Sequence, residues 1–167
     1  MATAQDCALV GLEGALVEVE VDIIDGLPEF TIVGLPGARV NEAKERVRAA
    51  IVSSGCLLPN KHIAVNLAPA ELLKEDPTCE LSMAVGILLA SGQIKPGTQT
   101  ADALFLGKLS PDGSVGHRNG ILPMVMLAVR KRIKTVFVSV DDALEASLPR
   151  DAQRVNSKQP VKTATVG

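Results

Sequence analysis

The chain has 167 residues, of which 47% are hydrophobic and 22% charged, and its net charge is −2. This length and balance predict one globular domain with its own core and exclude an intrinsically disordered segment. The three Phe, without any Tyr or Trp, argue against a base-stacking platform for single-stranded nucleic acid. No apolar run is long enough to span a membrane.

The cysteines and histidines do not predict a metal site or a disulfide framework. Cys7, Cys56 and Cys79 are odd in number, widely spaced and without a Cys-x-x-Cys motif. His62 and His117 have no second ligand at metal-binding spacing. In the absence of a signal peptide we expect buried, reduced thiols in a cytoplasmic protein.

The charges are unevenly distributed along the chain. Residues 1–30 hold seven acidic residues and no basic one, whereas residues 118–167 hold nine basic and four acidic residues. Poles of opposite sign predict head-to-tail self-association or an anionic partner on the basic side, and solvated surface is the simpler alternative.

The first part of the chain predicts strands followed by a helix. Residues 15–24 alternate apolar and acidic side chains, which is typical of a half-buried strand, and residues 7–14 are its expected hairpin partner. Residues 30–36 predict another short strand. Residues 38–55 change to helical spacing and end on Gly55, where a helix C-terminus favours glycine.

The rest of the chain predicts alternating strands and helices and a polar end. In chain order we expect a strand over 62–69, a buried helix over 80–92, a hairpin over 103–115, a helix over 120–132, a strand over 134–140, a short helix over 141–148 and a polar tail or linker over 151–167. Strands first and then alternation are typical of an α+β domain with α/β layers.

The glycine-bearing segments do not match the P-loop pattern that binds nucleotide phosphates. Gly107-Lys108 fails the P-loop pattern because Asp102 stands at the first glycine and Leu109 at the hydroxyl position. The turns over 33–37 and 113–120 are weak candidates for binding an anion.

Residues 74–83, KEDPTCELSM, contain three hydroxyl or thiol groups, those of Thr78, Cys79 and Ser82. A nucleophile requires a positioned base, for which Lys74 or a histidine from elsewhere is available. The alternative is a polar loop in which Thr78 or Cys79 caps the following helix.

Three further motifs carry a family resemblance. They are GLPEFTIVGLP over 26–36, ERVRAAIVSSG over 45–55 and NLAPAELLKE over 66–75. Their order resembles the N-terminal domain of the ComM/YifB family, which are magnesium-chelatase-like AAA+ ATPases. The resemblance implies a domain over residues 1–150 whose fold is similar to the Lon protease proteolytic domain and to domain 2 of ribosomal protein S5.

The resemblance to Lon also bears on catalysis. It places Thr78 at the position of Lon's nucleophilic serine and Met124 at that of its catalytic lysine, and a methionine cannot take up a proton. Asp76 and Glu80 stand where the Lon loop has glycines. The resemblance therefore implies a degenerate dyad and no enzymatic activity in this chain.

In this family ComM is a ring-forming helicase that promotes branch migration of recombining DNA in natural transformation. The AAA+ core follows the N-terminal domain, and this chain ends before any Walker A motif, so we expect an isolated domain or a truncated protein. ATP and Mg²⁺ are expected only for the AAA+ module, and no cofactor for this domain.

The function implied is that of a scaffold, which supports a hexameric ring and contacts DNA as a related Lon-like domain does in the RadA recombination protein. The alternatives are a hydrolase that uses Thr78 or Cys79, and a regulatory ligand-binding domain for a partner ATPase. The DNA-binding candidates are the basic residues of two segments: Arg39, Lys44, Arg46, Arg48, Arg130, Lys131 and Arg132.

Overall fold

A computed structural model of the chain describes residues 1–74, 78–153 and 162–166. Within these ranges the strands are β1 (Ala2–Val10), β2 (Glu13–Ile24), β3 (Glu29–Val33), β4 (His62–Ala68), β5 (Ala103–Leu106), β6 (Lys108–Leu109), β7 (Val115–Gly116), β8 (Thr135–Ser139) and β9 (Lys162–Val166). Seven of them form one mixed sheet in the order β3-β4-β2-β1-β5-β8-β9, and β6 pairs with β7 separately.

Helices cover both faces of this sheet. They are α1 (Gly37–Ser53), α2 (Glu80–Ala90), α3 (Thr98–Ala101), α4 (Ile121–Arg130) and α5 (Ala143–Gln153), with 3₁₀ turns at Ala70–Leu73 and Val140–Asp142. The side chains of β5 point alternately into two cores on opposite faces of the sheet. Phe105 packs in the core with α1 and α2, and Leu104 and Leu106 pack in the core with α4. The expected layered α+β arrangement is confirmed at this level.

The alternation predicted for β2 is also confirmed. Val17, Val19 and Val21 are fully buried on one side of the strand, while Glu18 and Asp22 are exposed on the other. β2 pairs antiparallel with both β1 and β4. It is therefore an interior strand of the sheet, and its valines face α2.

Two glycines allow the helices to approach β2 closely. A Cβ added at Gly86 of α2 would lie 2.6 Å from Val21 Cγ2, and one added at Gly14 of β2 would lie 3.0 Å from the Pro123 carbonyl of α4. Any side chain at these positions would push a helix away from the sheet.

The hairpin predicted over 103–115 is wrong in its first half. Ala103–Leu106 is β5, which lies parallel between β1 and β8. All four of its residues are buried, as is typical of an interior parallel strand. Only Lys108–Gly116 forms a hairpin, whose turn is closed by a 2.9 Å hydrogen bond from Gly113 N to Ser110 O.

The polar tail predicted after residue 150 also differs from the structure. Helix α5 continues to Gln153, and Lys162–Val166 forms β9, parallel to β8 at the sheet edge. β-Branched residues alternate in this segment, but five polar-flanked residues give too short a pattern to predict a strand. Residues 154–161 and 167 lie outside the described ranges.

Candidate functional site

A cleft opens at one end of the sheet, between the segment before α2, the β6–β7 hairpin and the loop that leads into α4. Its larger cavity has a volume of about 570 Å³ and a smaller one, of about 240 Å³, adjoins it. Thr78 and Lys108 line both cavities, so the two form one groove. The larger is lined by Leu9, Gly11, Thr78, Lys108, His117, Arg118 and Asn119.

The cleft lies at the carboxyl ends of three adjacent parallel strands. Gly11 follows β1, Lys108 follows β5, and Asp142, which contacts His117, follows β8. β1 is parallel to β5, and β5 is parallel to β8. Ligands of α/β sheets commonly bind at this edge, because loops there converge without being part of the sheet.

A buried ion pair lies behind the cleft. Arg118 Nη1 donates to Asp6 Oδ1 at 2.7 Å, and the two side chains are only 4% and 2% exposed. Asp6 also accepts hydrogen bonds from Ser82 Oγ at 2.8 Å and from Cys7 N at 2.7 Å. Burial raises the pKa of the Asp6 carboxyl above its ordinary value, and the charge and hydrogen bonds of Arg118 oppose this rise. The pair joins β1, α2 and the loop before α4.

His117 is oriented by two oxygen atoms. Its Nδ1 lies 2.5 Å from Asp142 Oδ1 and its Nε2 lies 3.0 Å from Asn119 Oδ1. These hydrogen bonds raise the pKa of the His117 imidazole above 6.5, and the bond with Asp142 makes the largest contribution. Asp142 is buried, and its other oxygen accepts from Arg118 N at 2.9 Å. The imidazole is therefore fixed at the wall of the cleft in an environment that favours its protonated form.

The smaller cavity has carboxylates as well as cations. Arg46 donates to Glu42 at 2.8 Å and lies 3.7 Å from Glu80, and Arg39 lies 3.5 Å from Glu42. Burial raises the pKa of the Glu80 carboxyl, the nearby Asp6 charge adds to the rise, and Arg46 opposes it. This part of the groove is close to electrically balanced.

The two predicted dyad positions differ in their exposure. Thr78 is half-buried and lines the cleft, whereas Met124 of α4 is fully buried in the core. Cys79 stands at the N-cap of α2 with Glu80 in the first turn, which confirms one of the two predicted helix starts, whereas the cap by Thr78 is wrong. No side-chain cap hydrogen bond occurs at Cys79 among the described residues. Asp76 lies outside the described residues.

The lysine at the cleft is not the one nearest in sequence. Lys74 is exposed and lines neither cavity, whereas Lys108 lines both. From the sequence, Lys108 was considered only in the rejected P-loop match, and Asp6 was not predicted. Asn119 lies in the turn over 113–120, which was a weak candidate for binding an anion. One signal was available, since Asp6 is the only charged residue in the segment Ala2–Val10.

The DNA-binding candidates fall into two separate clusters. Arg39, Lys44, Arg46 and Arg48 lie on α1, while Arg130, Lys131 and Arg132 lie at the end of α4. These two helices pack on opposite faces of the sheet, so the clusters cannot form one continuous patch.

The two clusters also differ in their ion pairs. On α1, Glu42 pairs with Arg39 and Arg46, and Glu45 lies 3.9 Å from Arg48. The cationic loop, which we define as Arg130, Lys131, Arg132 and Lys134, is exposed. None of its four side chains has a carboxylate within 4.0 Å in the part of the chain that the structure describes.

Three further properties concern metals, membranes and thiols. No three His, Cys, Asp or Glu side chains in the described ranges are grouped so that they could hold a metal ion. Over the same ranges, no helix is both long and apolar enough to cross a bilayer. Cys7 and Cys79 are buried, and Cys56 is partly buried.

Comparison with known proteins gives the family. Residues 19–142, most of the chain, match the family model described as subunit ChlI of Mg-chelatase, and the chain belongs to this family. The chain is also 38% identical over 144 residues to the competence protein ComM of Haemophilus influenzae. It is 38% identical over 141 residues to the uncharacterised protein YifB of Salmonella typhimurium, and 40% identical over 141 residues to an uncharacterised protein of Mycobacterium tuberculosis.

These alignments cover 84% to 86% of the chain but only 28% of each relative. The chain therefore spans little more than a quarter of the length of these relatives. The resemblance to the ComM/YifB family that its motifs indicate is confirmed.

Proposed function

We propose that this domain is a non-catalytic interaction module of a ComM-like protein, which supports the assembly of subunits into a ring and contacts DNA through the cationic loop. We further propose that it acts in the cytoplasm, that it needs no cofactor of its own, and that its fold is of the Lon proteolytic-domain or ribosomal protein S5 domain 2 type. The name of one relative, a competence protein, supports a role connected with the uptake or recombination of DNA.

The DNA contact is supported chiefly by the charge of the cationic loop. Four cationic side chains within five residues are exposed and lack described carboxylate partners. Arg132 adopts a left-handed conformation with φ 57°, and Ile133 N donates to Ala128 O at 2.9 Å, so the loop closes the helix in a defined turn. Such a cluster suits phosphate contacts that are independent of sequence.

The proposed ring contact is supported by a complementary acidic surface. Glu18 and Asp22 of β2 are exposed, and Glu20 and Asp22 line a shallow cavity. Asp22 also lies 3.5 Å from the Met1 amino group. An acidic sheet face of one subunit against a basic surface of the next, other than the cationic loop, gives a heterologous contact, and such contacts close into rings when the rotation permits.

The absence of catalysis is supported by the packing of Met124 and of two of the three candidate nucleophiles, Cys79 and Ser82. Cys79 is 1% exposed and Met124 is fully buried, so neither presents a reactive group to the cleft. The hydroxyl of Ser82 is used in the hydrogen bond to Asp6.

The DNA contact is tested by the anisotropy of a labelled duplex at several salt concentrations. The triple variant R130Q/K131Q/R132Q should weaken binding, and the salt slope should fall by about 1 for each phosphate that the variant no longer neutralises. The control R48Q changes an exposed arginine on the opposite face and should leave the affinity unchanged. Equal affinities for the wild type and the triple variant would remove the DNA contact from the proposal.

The ring contact is tested separately by light scattering over a range of protein concentrations. Charge reversal by E18K/D22K should abolish self-association, whereas R130Q/K131Q/R132Q should leave it unchanged, because the cationic loop is assigned to DNA and not to the ring contact. A wild-type chain that stays monomeric throughout would contradict self-association of this domain.

A further inference from the structure

We propose that the cleft around Thr78 and Lys108 binds the terminal phosphate of a small ligand or of a nucleic-acid end. The proposal goes beyond the interaction role above, since the cleft and the cationic loop lie at opposite ends of the sheet. Lys108 follows the carboxyl end of β5, whereas the cationic loop precedes the first residue of β8, which is parallel to β5.

The larger cavity presents cations and hydrogen-bond donors without a described carboxylate in its lining. Lys108 contributes a positive charge, His117 an imidazole, and Thr78 and Asn119 a hydroxyl and an amide. Its volume of about 570 Å³ lies within the range of small-ligand sites, which is about 300–1,000 Å³. No aromatic ring lines it, apart from the imidazole, so the phosphate rather than a base would carry recognition.

The carboxylates that orient these donors are buried behind the wall. Asp142 is 2% exposed and faces His117, and Asp6 is 1% exposed and faces Arg118. Arg118 Nη2 also donates to the Cys7 carbonyl at 2.6 Å. Arg118 is therefore a positioning residue, and the groups that can reach a ligand are those at the surface of the cleft.

Lys108 supplies the charge that is not balanced locally. It is exposed and has no carboxylate within 4.0 Å among the described residues. Charged donors and neutral donors reach the cleft from three chain segments, around residues 78, 108 and 117–119. Three free oxygens of a terminal phosphate can use such an arrangement better than the two coplanar oxygens of a carboxylate.

Binding is tested by titration calorimetry and by the NMR signals of the His117 ring. The probes are inorganic phosphate, a 5′-phosphorylated duplex and the same duplex without its 5′-phosphate. We expect phosphate to shift the His117 signals and Lys108→Met to weaken its binding about tenfold, as the loss of a charge-assisted hydrogen bond does. The control Lys95→Met removes an exposed lysine that lines neither cavity and should bind phosphate as the wild type does.

The probes also separate the source of the phosphate. Tighter binding of the 5′-phosphorylated duplex than of inorganic phosphate, lost in Lys108→Met, would support a nucleic-acid end, and equal binding would support a small phosphorylated ligand. If no probe shifts the His117 signals, or if Lys108→Met binds phosphate as tightly as the wild type, the proposal is overturned. Retained binding of the unphosphorylated duplex by Lys108→Met would leave the DNA contact of the cationic loop standing.

Discussion

Breaking the buried Asp6–Arg118 ion pair should cost more stability than any exposed ion pair of this domain. In Arg118→Met the Asp6 carboxylate stays buried and loses its guanidinium partner, while Ser82 and Cys7 still donate to it. Removing one partner of a buried pair costs about 3–5 kcal/mol. Because two donors remain and Asp6 can take up a proton, we expect the free energy of unfolding to fall by about 3 kcal/mol. The free energy of unfolding of a whole domain is about 5–15 kcal/mol.

A double-mutant cycle separates this cost from the general effect of substitution. Asp6→Leu leaves a buried guanidinium and should cost at least as much as Arg118→Met. The double variant D6L/R118M removes both charges and should recover about 2 kcal/mol or more relative to the sum of the single losses.

The assay is urea unfolding followed by far-ultraviolet circular dichroism, because the chain has no Trp or Tyr to report by fluorescence. The exposed Asp25–Lys61 pair, at 2.9 Å with side chains 91% and 54% exposed, is the control, and Asp25→Asn should leave the unfolding free energy unchanged. Additive single losses, or an equal loss in the control, would refute the reasoning.

Two further predictions concern α2 and His117. Gly86→Ala should destabilise the fold by about 1–3 kcal/mol in urea unfolding, because the new Cβ would lie 2.6 Å from Val21 Cγ2. The control Gly37→Ala, which places its Cβ where nothing lies within 4 Å, should not destabilise it. Equal stability of the two variants would contradict the close approach of α2 to β2. The raised pKa of His117 means that its contribution to stability is complete below 6.5 and is lost as the pH rises through the folded-state value. An NMR titration should give a midpoint above 6.5 for His117 and a lower midpoint for His117 in Asp142→Asn. His117→Gln should flatten the pH dependence of the unfolding free energy in this window. A wild-type midpoint at or below 6.5 would show that Asp142 does not stabilise the protonated imidazole.

Local periodicity predicted the elements whose burial is decided by near neighbours. The alternation of β2 and the helical spacing of α1 follow from one buried side each, and the structure buries those sides. β5 could not be separated from the following hairpin, because its place between β1 and β8 depends on residues far away in the chain. β9 depends in the same way on β8.

The site was less predictable than the fold because its contacts are distant in sequence. Asp6 and Arg118 are 112 residues apart, and Asp142 lies 25 residues after His117. Sequence proximity favoured Lys74 as the partner of Thr78, whereas the turn after β5 brings Lys108 to the cleft. The ion pair between Glu42 and Arg46 was readable from their i,i+4 spacing, and it reduces the free charge of α1.

The buried pair connects the stability of the domain with its cleft. If Asp6 and Arg118 served stability alone, apolar residues of similar volume would serve as well, since replacing a buried pair is often neutral or stabilising. Arg118, however, also stands between His117 and Asn119, and its backbone N–H donates to the carboxylate that orients the imidazole. A D6L/R118M variant that folds fully but no longer shows the phosphate-dependent shift of His117 would mean that the pair holds the 113–120 loop in position, at some cost in stability. A variant that folds and still shows the shift would mean that Asp142 alone is sufficient to hold the loop.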